Sequence, residues 1–400
     1  MIRKIDTWRK PMFWICLGAA IALSKAVAAQ GPCDFGAFSV KTDFEGAAVA
    51  SCRSASTAAV VLGVVPENEP INNSPWYAFR VESDQLDQVV VDLRYEGGTH
   101  RYTPKISRDG RTWESVSAEQ VEVLEEGAVA RFSVPIYDGA TWVSAQPLLG
   151  SEDYAQWLAQ LDSHAKRNID IIGNSAEGRP LQRLLIYDGQ TQLLLILGRQ
   201  HPPETTGAVA LKAFVERLLE GDPLSQAFIQ DVAVAVYPLI NPDGVARGHW
   251  RHNVGGKDLN RDWGPFEQPE PRQVNQDVEQ LLSNTQLSIG YVLDFHSTWY
   301  DVFYTQKDSH YTQRKSLTAD WLALFETSMR QLEPEFEVNR KGSHNAAAPT
   351  SKSYFFNTYG APATTYEIGD NSPVERIKHY ARTSAEAFMQ AWLNQETSHE

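Results

Sequence analysis

Short alternating apolar runs fill the first third of the chain, and two of them, residues 89–93 and 129–134, are set among turn pairs such as Gly97-Gly98 and Asp109-Gly110. A two-residue period broken by such turns predicts short strands joined by tight connections. Residues 33–147 therefore read as a small antiparallel β domain. At Tyr154, Trp157, Leu158 and Leu161 the spacing becomes helical, which places a boundary near residue 148. Two apolar runs follow, 181–187 and 193–197, and the Asp188-Gly189 pair between them predicts a hairpin. Beyond it, strands and helices alternate. Leu211, Phe214, Val215 and Leu218 carry helical spacing and stop at Gly221; 232–237, 289–295 and 363–368 are strand patterns; Ile377, Tyr380, Ala381, Phe388 and Trp392 stripe a last helix. This alternation predicts an α/β domain over residues 148–396, with a mixed, mostly parallel twisted sheet and helices on both faces.

Ligands of such sheets sit at the carboxyl ends of strands. His201 and Glu204 lie just beyond 193–197, Asn241 follows 232–237, His296 follows 292–295, and Glu367 closes 363–366. Four predicted strand ends thus deliver polar groups to one edge. Two histidines and a glutamate around an open position form a catalytic zinc arrangement, so His201, Glu204 and His296 are the candidate ligands of one zinc ion per chain. A lone HxxE is equally a surface turn with two solvated side chains, and only the other strand ends change that reading. Glu367, flanked by apolar and β-forming residues, is placed to take a proton from a water at such a metal, the alternative being a structural ion pair. Arg251, Asn260 and Arg261 occupy a Gly- and Asn-rich loop, 248–263. Guanidinium groups pair bidentately with carboxylates, so this loop suits a substrate with a free carboxylate, unless its arginines serve the acidic surface. His249 and His252 read as loop residues, because the ligand set is complete without them. His100, His164, His310, His379 and His399 lie outside every motif.

Composition narrows the setting. Four hundred residues favour two domains, and a net charge of -14 argues against nucleic acid or an anionic membrane as partner. Arg3, Lys4, Arg9 and Lys10 precede an apolar run, 12–23, that ends in Ala26-Val27-Ala28. This is the form of a signal peptide over residues 1–29, and it predicts an exported protein, periplasmic or secreted, with no stable membrane insertion after cleavage. Cys16 leaves with that segment, so Cys33 and Cys52 remain as a disulfide or as two free thiols. No Gly-x-Ser-x-Gly elbow or Cys/His signature offers a rival nucleophile.

Five motifs occur in order: 201–204 (HPPE), 241–244 (NPDG), 258–263 (DLNRDW), 293–297 (LDFHS) and 365–370 (TYEIGD). Their series resembles the zinc metallocarboxypeptidases of the M14 family, and the chain is similar to the cytosolic-carboxypeptidase-like branch, here as an exported bacterial member. The resemblance implies a β-sandwich ahead of the catalytic domain and peptide or protein C-termini as substrates. It implies zinc on His201, Glu204 and His296, with Glu367 as the general base that returns its proton to the leaving amine. It further implies Arg251 at the scissile carbonyl and the oxyanion, Asn260 and Arg261 on the terminal carboxylate, and Asp258 orienting the first zinc histidine. The family's mobile tyrosine has no counterpart at the matching spacing near His344, and Tyr354 and Tyr359 read as core residues. Lys352 falls near the segment lining the family's side-chain pocket, where it would favour acidic C-terminal residues; a solvated surface lysine is the alternative. Two other functions share the same residues: an N-acyl amino-acid deacylase, and a catalytically silent binding protein.

Overall fold

The computed structural model describes residues 33–161, 167–342 and 347–396; the expected signal peptide, His164, His344 and His399 lie outside the described residues. The described residues belong to one unit, Pro32–Glu400. The first eleven strands are β1 (Cys33–Asp34), β2 (Ser39–Lys41), β3 (Ser51–Ser56), β4 (Ala59–Val64), β5 (Ala78–Glu82), β6 (Gln88–Tyr95), β7 (Lys105–Ser107), β8 (Glu114–Ser115), β9 (Glu122–Leu124), β10 (Val129–Pro135) and β11 (Ala140–Ser144). They form two sheets, ordered β1-β2-β5-β11-β7-β8 and β3-β4-β6-β10-β9. In β6 the period of two is plain: Val89, Val91, Leu93 and Tyr95 are buried, and the residues between them are not. Phe79 and Val81 of the first sheet join Val91 and Leu93 of the second in one apolar core, so this is a sandwich. It is not wholly antiparallel, because β4 runs parallel to β6. A parallel pair needs a crossover, and residues 65–87 supply it by passing through β5 in the opposite sheet. Cys33 of β1 and Cys52 of β3 are disulfide-bonded, Cα to Cα 6.0 Å, which staples the two sheets.

Next come α1 (Ser151–Leu161), β12 (Arg167–Asn174), β13 (Pro180–Ile186), β14 (Gln192–Gly198), α2 (Thr205–Leu218), α3 (Pro223–Asp231), β15 (Val232–Tyr237), α4 (Pro242–Arg247) and α5 (Pro269–Asn284). The chain ends with β16 (Ser288–Thr298), β17 (Val302–Thr305), α6 (Leu317–Arg330), β18 (Arg340–Gly342), α7 (Ser351–Tyr359), β19 (Ala363–Gly369) and α8 (Val374–Glu396). The strands make one eight-stranded sheet ordered β12-β13-β15-β14-β16-β19-β17-β18. Its centre, β15-β14-β16-β19, is parallel, while β12, β13 and β17 pair antiparallel to their inner neighbours. Alternate strand residues serve opposite faces. Leu194, Ile196, Leu293 and Phe295 pack with α2, α3, α6 and α8, and Leu195, Leu197 and Val292 pack with α5 and α7.

The Asp188-Gly189 hairpin does not form. β13 and β14 are separated by β15, which returns parallel to β14 after α2 and α3 and takes the place between them. The turn chemistry at 188–189 is sound, but strand order is decided by which apolar strand fills the gap, and VAVAVY of β15 is buried at every position. The hairpin that does form joins β12 to β13.

Candidate metal centre

The edge that holds the site is built at the ends of β14 and β15 and within β16 and β19. Leaving β14, the chain turns through Arg199, whose φ of 51° places it in the left-handed region. The buried Arg199 side chain secures this turn: Nε donates to the Pro202 carbonyl at 2.8 Å and Nη1 to Tyr154 Oη at 3.2 Å. The turn presents His201 inward and leads into α2, with Glu204 as its N-cap residue. The neighbouring motifs brace it. Asn241 Nδ2 donates to the Gln200 carbonyl at 3.1 Å, and Trp263 Nε1 donates to Gln200 Oε1 at 2.8 Å.

The sequence places His296 directly after its strand and Glu367 at the close of its own; β16 continues to Thr298 and β19 to Gly369, so both lie inside the ladder. They are register partners across it. Their side is the face away from Phe295 and Tyr366, which pack with α2, α6 and α8.

His201, Glu204 and His296 bring one ligand atom each to within 4.8 Å of one another. Both imidazoles turn Nδ1 towards Glu204, His201 at 2.8 Å from Oε1 and His296 at 2.7 Å from Oε2. Their outer nitrogens meet other carboxylates: His201 Nε2 lies 2.9 Å from Asp258 Oδ1, and His296 Nε2 lies 2.9 Å from Asp294 Oδ2. Two inward imidazole nitrogens, one carboxylate and a second carboxylate behind each ring are the donor set zinc takes, so the residues fit that ion. Asp258 stands where the family resemblance implies, against His201. Asp294 belongs to none of the roles the motifs imply, although its place two residues before His296 on one strand puts both on one face. Gln200 Nε2 donates to Asp294 Oδ2 at 2.7 Å, and the Ser351 hydroxyl donates to the same oxygen.

The electrostatics follow from this crowding. Burial alone would raise the Asp258 carboxyl, but the charges of His201 and Arg251 hold it well below the usual carboxylate range. Burial also opposes charge on Glu204 and His296; the histidines hold Glu204 down, and Asp294 with Glu204 holds His296 up. Glu367 behaves differently. Burial, opposed by His296 and reinforced by Glu204, pushes its carboxyl up to about 7.

Arg251 Nε donates to Asp258 Oδ2 at 2.8 Å, so the arginine and His201 share one carboxylate. Asn260 is buried, its Nδ2 3.1 Å from His296 Nε2 and its Oδ1 accepting the Ser351 N–H at 3.0 Å. Arg261 is exposed and donates from Nη1 to the Asn260 carbonyl at 2.7 Å. Lys352 is not a solvated surface residue. It is 7% exposed, its Nζ donates to the Tyr304 carbonyl at 3.3 Å, and burial pushes its ammonium down to about 8 against the pull of Asp294 and Glu367. Tyr354 and Tyr359 of α7 are half-buried and pack against the core, Tyr354 beside Trp263 and Tyr359 beside Phe355. His252 is a loop residue, its Nδ1 donating to Asn68 Oδ1 of the sandwich at 2.5 Å. Asp370, which closes the last motif, is held by Arg101 of the sandwich at 2.8 Å.

Comparisons with known proteins bear on the same residues. The sequence model of the zinc carboxypeptidases matches residues 154–387. An uncharacterised protein of Zymomonas mobilis is 26% identical over 245 residues, 59% of this chain and 62% of that one. Cytosolic carboxypeptidase 6 of Homo sapiens is 28% identical over 159 residues, 36% of this chain and 32% of that one. The chain thus spans less than two thirds of the length of these relatives. In fold, it is similar to a metallo-carboxypeptidase from Burkholderia cenocepacia, with a TM-score of 0.75 and 19% identity over 89% of this chain and 99% of that one. A metallo-carboxypeptidase from Pseudomonas aeruginosa gives a TM-score of 0.71 and 18% identity, covering 88% and 98%. The family match takes in more than half of the 400 residues and includes His201, Glu204, His296 and Glu367, and on it the chain belongs to the zinc carboxypeptidase family.

Proposed function

We propose that the protein is a zinc-dependent carboxypeptidase that removes the C-terminal residue of peptides or proteins. The observation that carries the reading is the half-buried Glu367 standing in register beside His296 of the two-histidine, one-glutamate set, where desolvation raises its carboxyl. A general base works best when its pKa lies near the operating pH. His201, Glu204 and His296 would hold the zinc ion, which would supply Lewis acidity for activating water and polarising a carbonyl. Glu367 takes the proton of the attacking water and returns it to the leaving amine. Arg251 has its Nε committed to Asp258, so its terminal nitrogens are the donors for the oxygen on which charge develops. The substrate's terminal carboxylate is met by Arg261 and Asn260. Because Asn260 is packed against His296 and Ser351, the charged share of that contact falls to the exposed Arg261.

The buried Lys352, near enough to Glu367 and Asp294 to feel their charge, favours acidic C-terminal side chains in this reading. The basic-then-apolar leader adds export, which fractionation of the producing cells tests. The central experiment is a C-terminally varied peptide library incubated with the purified protein, with and without a chelator. Release of single C-terminal residues, lost on chelation and restored by zinc, is expected. Absence of stoichiometric zinc, or hydrolysis of N-acyl amino acids in preference to peptides, would replace this reading.

A further inference from the structure

The loop that carries Arg251 is held from the sandwich. Trp250, Arg251 and His252 are consecutive, and their backbone N–H groups converge on one carboxylate, Glu67, in the connection between β4 and β5. Trp250 N–H donates to Oε2 at 2.7 Å, while those of Arg251 and His252 donate to Oε1 at 3.0 and 2.6 Å. Successive N–H groups turned to one side make an anion-binding concavity, and here a side chain from the other sheet system fills it. The Glu67 side chain is 8% exposed, so water competes little for these bonds.

Its neighbours extend the grip. Asn68 accepts from His252 Nδ1 and donates from Nδ2 to the Gly256 carbonyl at 3.0 Å. The Trp250 indole is buried in the sandwich core, so close to Gly98 that a Cβ there would stand 2.7 Å from the ring. The loop is otherwise a poor candidate for rigidity. Gly248 and Gly256 both adopt positive φ, and Gly255 directly precedes Gly256. From Arg251 the contacts run on without a gap: Nε to Asp258, and Asp258 to His201.

We infer that Glu67 is a positioning residue for the reaction, fixing the Arg251 backbone so that its guanidinium is aimed beside the metal centre. Through it the sandwich contributes to catalysis without touching substrate. The inference rests on Arg251 serving as the oxyanion donor, as proposed above.

The test uses the full-length, zinc-loaded protein and one peptide substrate, with Glu67→Gln, Asn68→Ala, Arg251→Ala and the double variant Glu67→Gln/Arg251→Ala. Glutamine keeps the size of Glu67 but sets an NH2 group against backbone donors. Glu67→Gln is expected to lower kcat roughly 10- to 100-fold with KM within about twofold and zinc content unchanged, as for a misaimed transition-state group. The double variant is expected to be no slower than Arg251→Ala alone, because both changes remove the same contribution. Losses that simply multiply in the double variant, or a Glu67→Gln kcat within about twofold of the parent, overturn the inference. If Glu67→Gln yields no folded protein, Asn68→Ala carries the same cycle: a kcat loss that disappears in the Arg251→Ala background supports it, and an independent loss overturns it. An Arg251→Ala variant with parental kcat overturns the role of Arg251 and this inference together, whereas an impaired Arg251→Ala beside a normal Glu67→Gln overturns this inference alone.

Discussion

His296 on β16 and Glu367 on β19 face each other in register across a parallel pair of strands, on the same face of the sheet. Their separation is therefore set by the backbone ladder, whose strands lie roughly 4.8 Å apart, and not by the reach of flexible side chains. In the proposed roles, a metal ligand and a base fixed this way would need no reorganisation before reaction.

Glu367→Gln separates the two duties. Glu367 is not one of the three converging donors, so the variant is expected to keep one zinc per chain. Without the proton acceptor, kcat should fall by roughly 10²- to 10⁴-fold. Metal analysis and steady-state kinetics on one preparation check both parts, and near-parental kcat would remove the base from Glu367.

Asp294 sits behind the candidate ligand His296 and is itself held by Gln200 and Ser351. Asp294→Asn keeps the volume and removes the charge that favours an Nε2-protonated, Nδ1-coordinating imidazole. Zinc affinity is expected to drop by about 10- to 100-fold, read by competition with a chelator of known affinity. An unchanged affinity would mean that Asp294 is a packing residue only.

The start of α2 presses against the backbone of β16 at His296, and a Cβ on Gly207 would stand 2.3 Å from the His296 carbonyl oxygen. Neither partner is a movable side-chain tip. Gly207→Ala therefore has to separate α2, which begins directly after Glu204, from the strand that bears His296. A stability loss of about 1–3 kcal/mol is expected together with weaker zinc binding. Gly290→Ala is the control, because its Cβ would meet the ring of Trp392 instead. It should cost stability while leaving zinc affinity intact, and equal zinc loss in both variants would refute the local account.

Much of this centre is legible in the sequence because its parts obey local rules. The buried strands read as apolar runs, so His201, His296 and Glu367 stand out as polar residues at or near their ends. Asp294 obeys the same rule and is missed only if 292–295 is taken as uniformly core. What escapes is decided by distant chain. The order β13-β15-β14 depends on a strand supplied some forty residues later, so a good local turn at Asp188-Gly189 predicts the wrong neighbour. Glu67 has no local signature at all, since its partners are backbone groups 183 to 185 residues away. Lys352 lies in a Thr-Ser-Lys-Ser stretch that reads as surface, yet α7 packs against β16 and β19 and takes it inside.

That buried lysine yields a pH test. Its ammonium is pushed from the ordinary 10.5 down to about 8, mainly by burial, so the fold disfavours the charged form. The penalty is full below pH 8 and is relieved as pH rises towards 10.5, because over that range the unfolded chain holds the proton more tightly than the native one. A shift of this size corresponds to about 3 kcal/mol as an upper figure. Lys352→Met is therefore expected to be more stable than the parent at pH 7, with the gap closing as pH approaches 10, measured by denaturant titration at both values. A gap that does not change with pH would show that the charge carries no penalty. If the gap does close, the chain keeps a cation beside Glu367 at a cost in stability, as groups retained for function do. The same variant should then lose its preference for Glu- over Leu-terminated peptides, and equal turnover of both by the parent would dismiss the pocket role of Lys352.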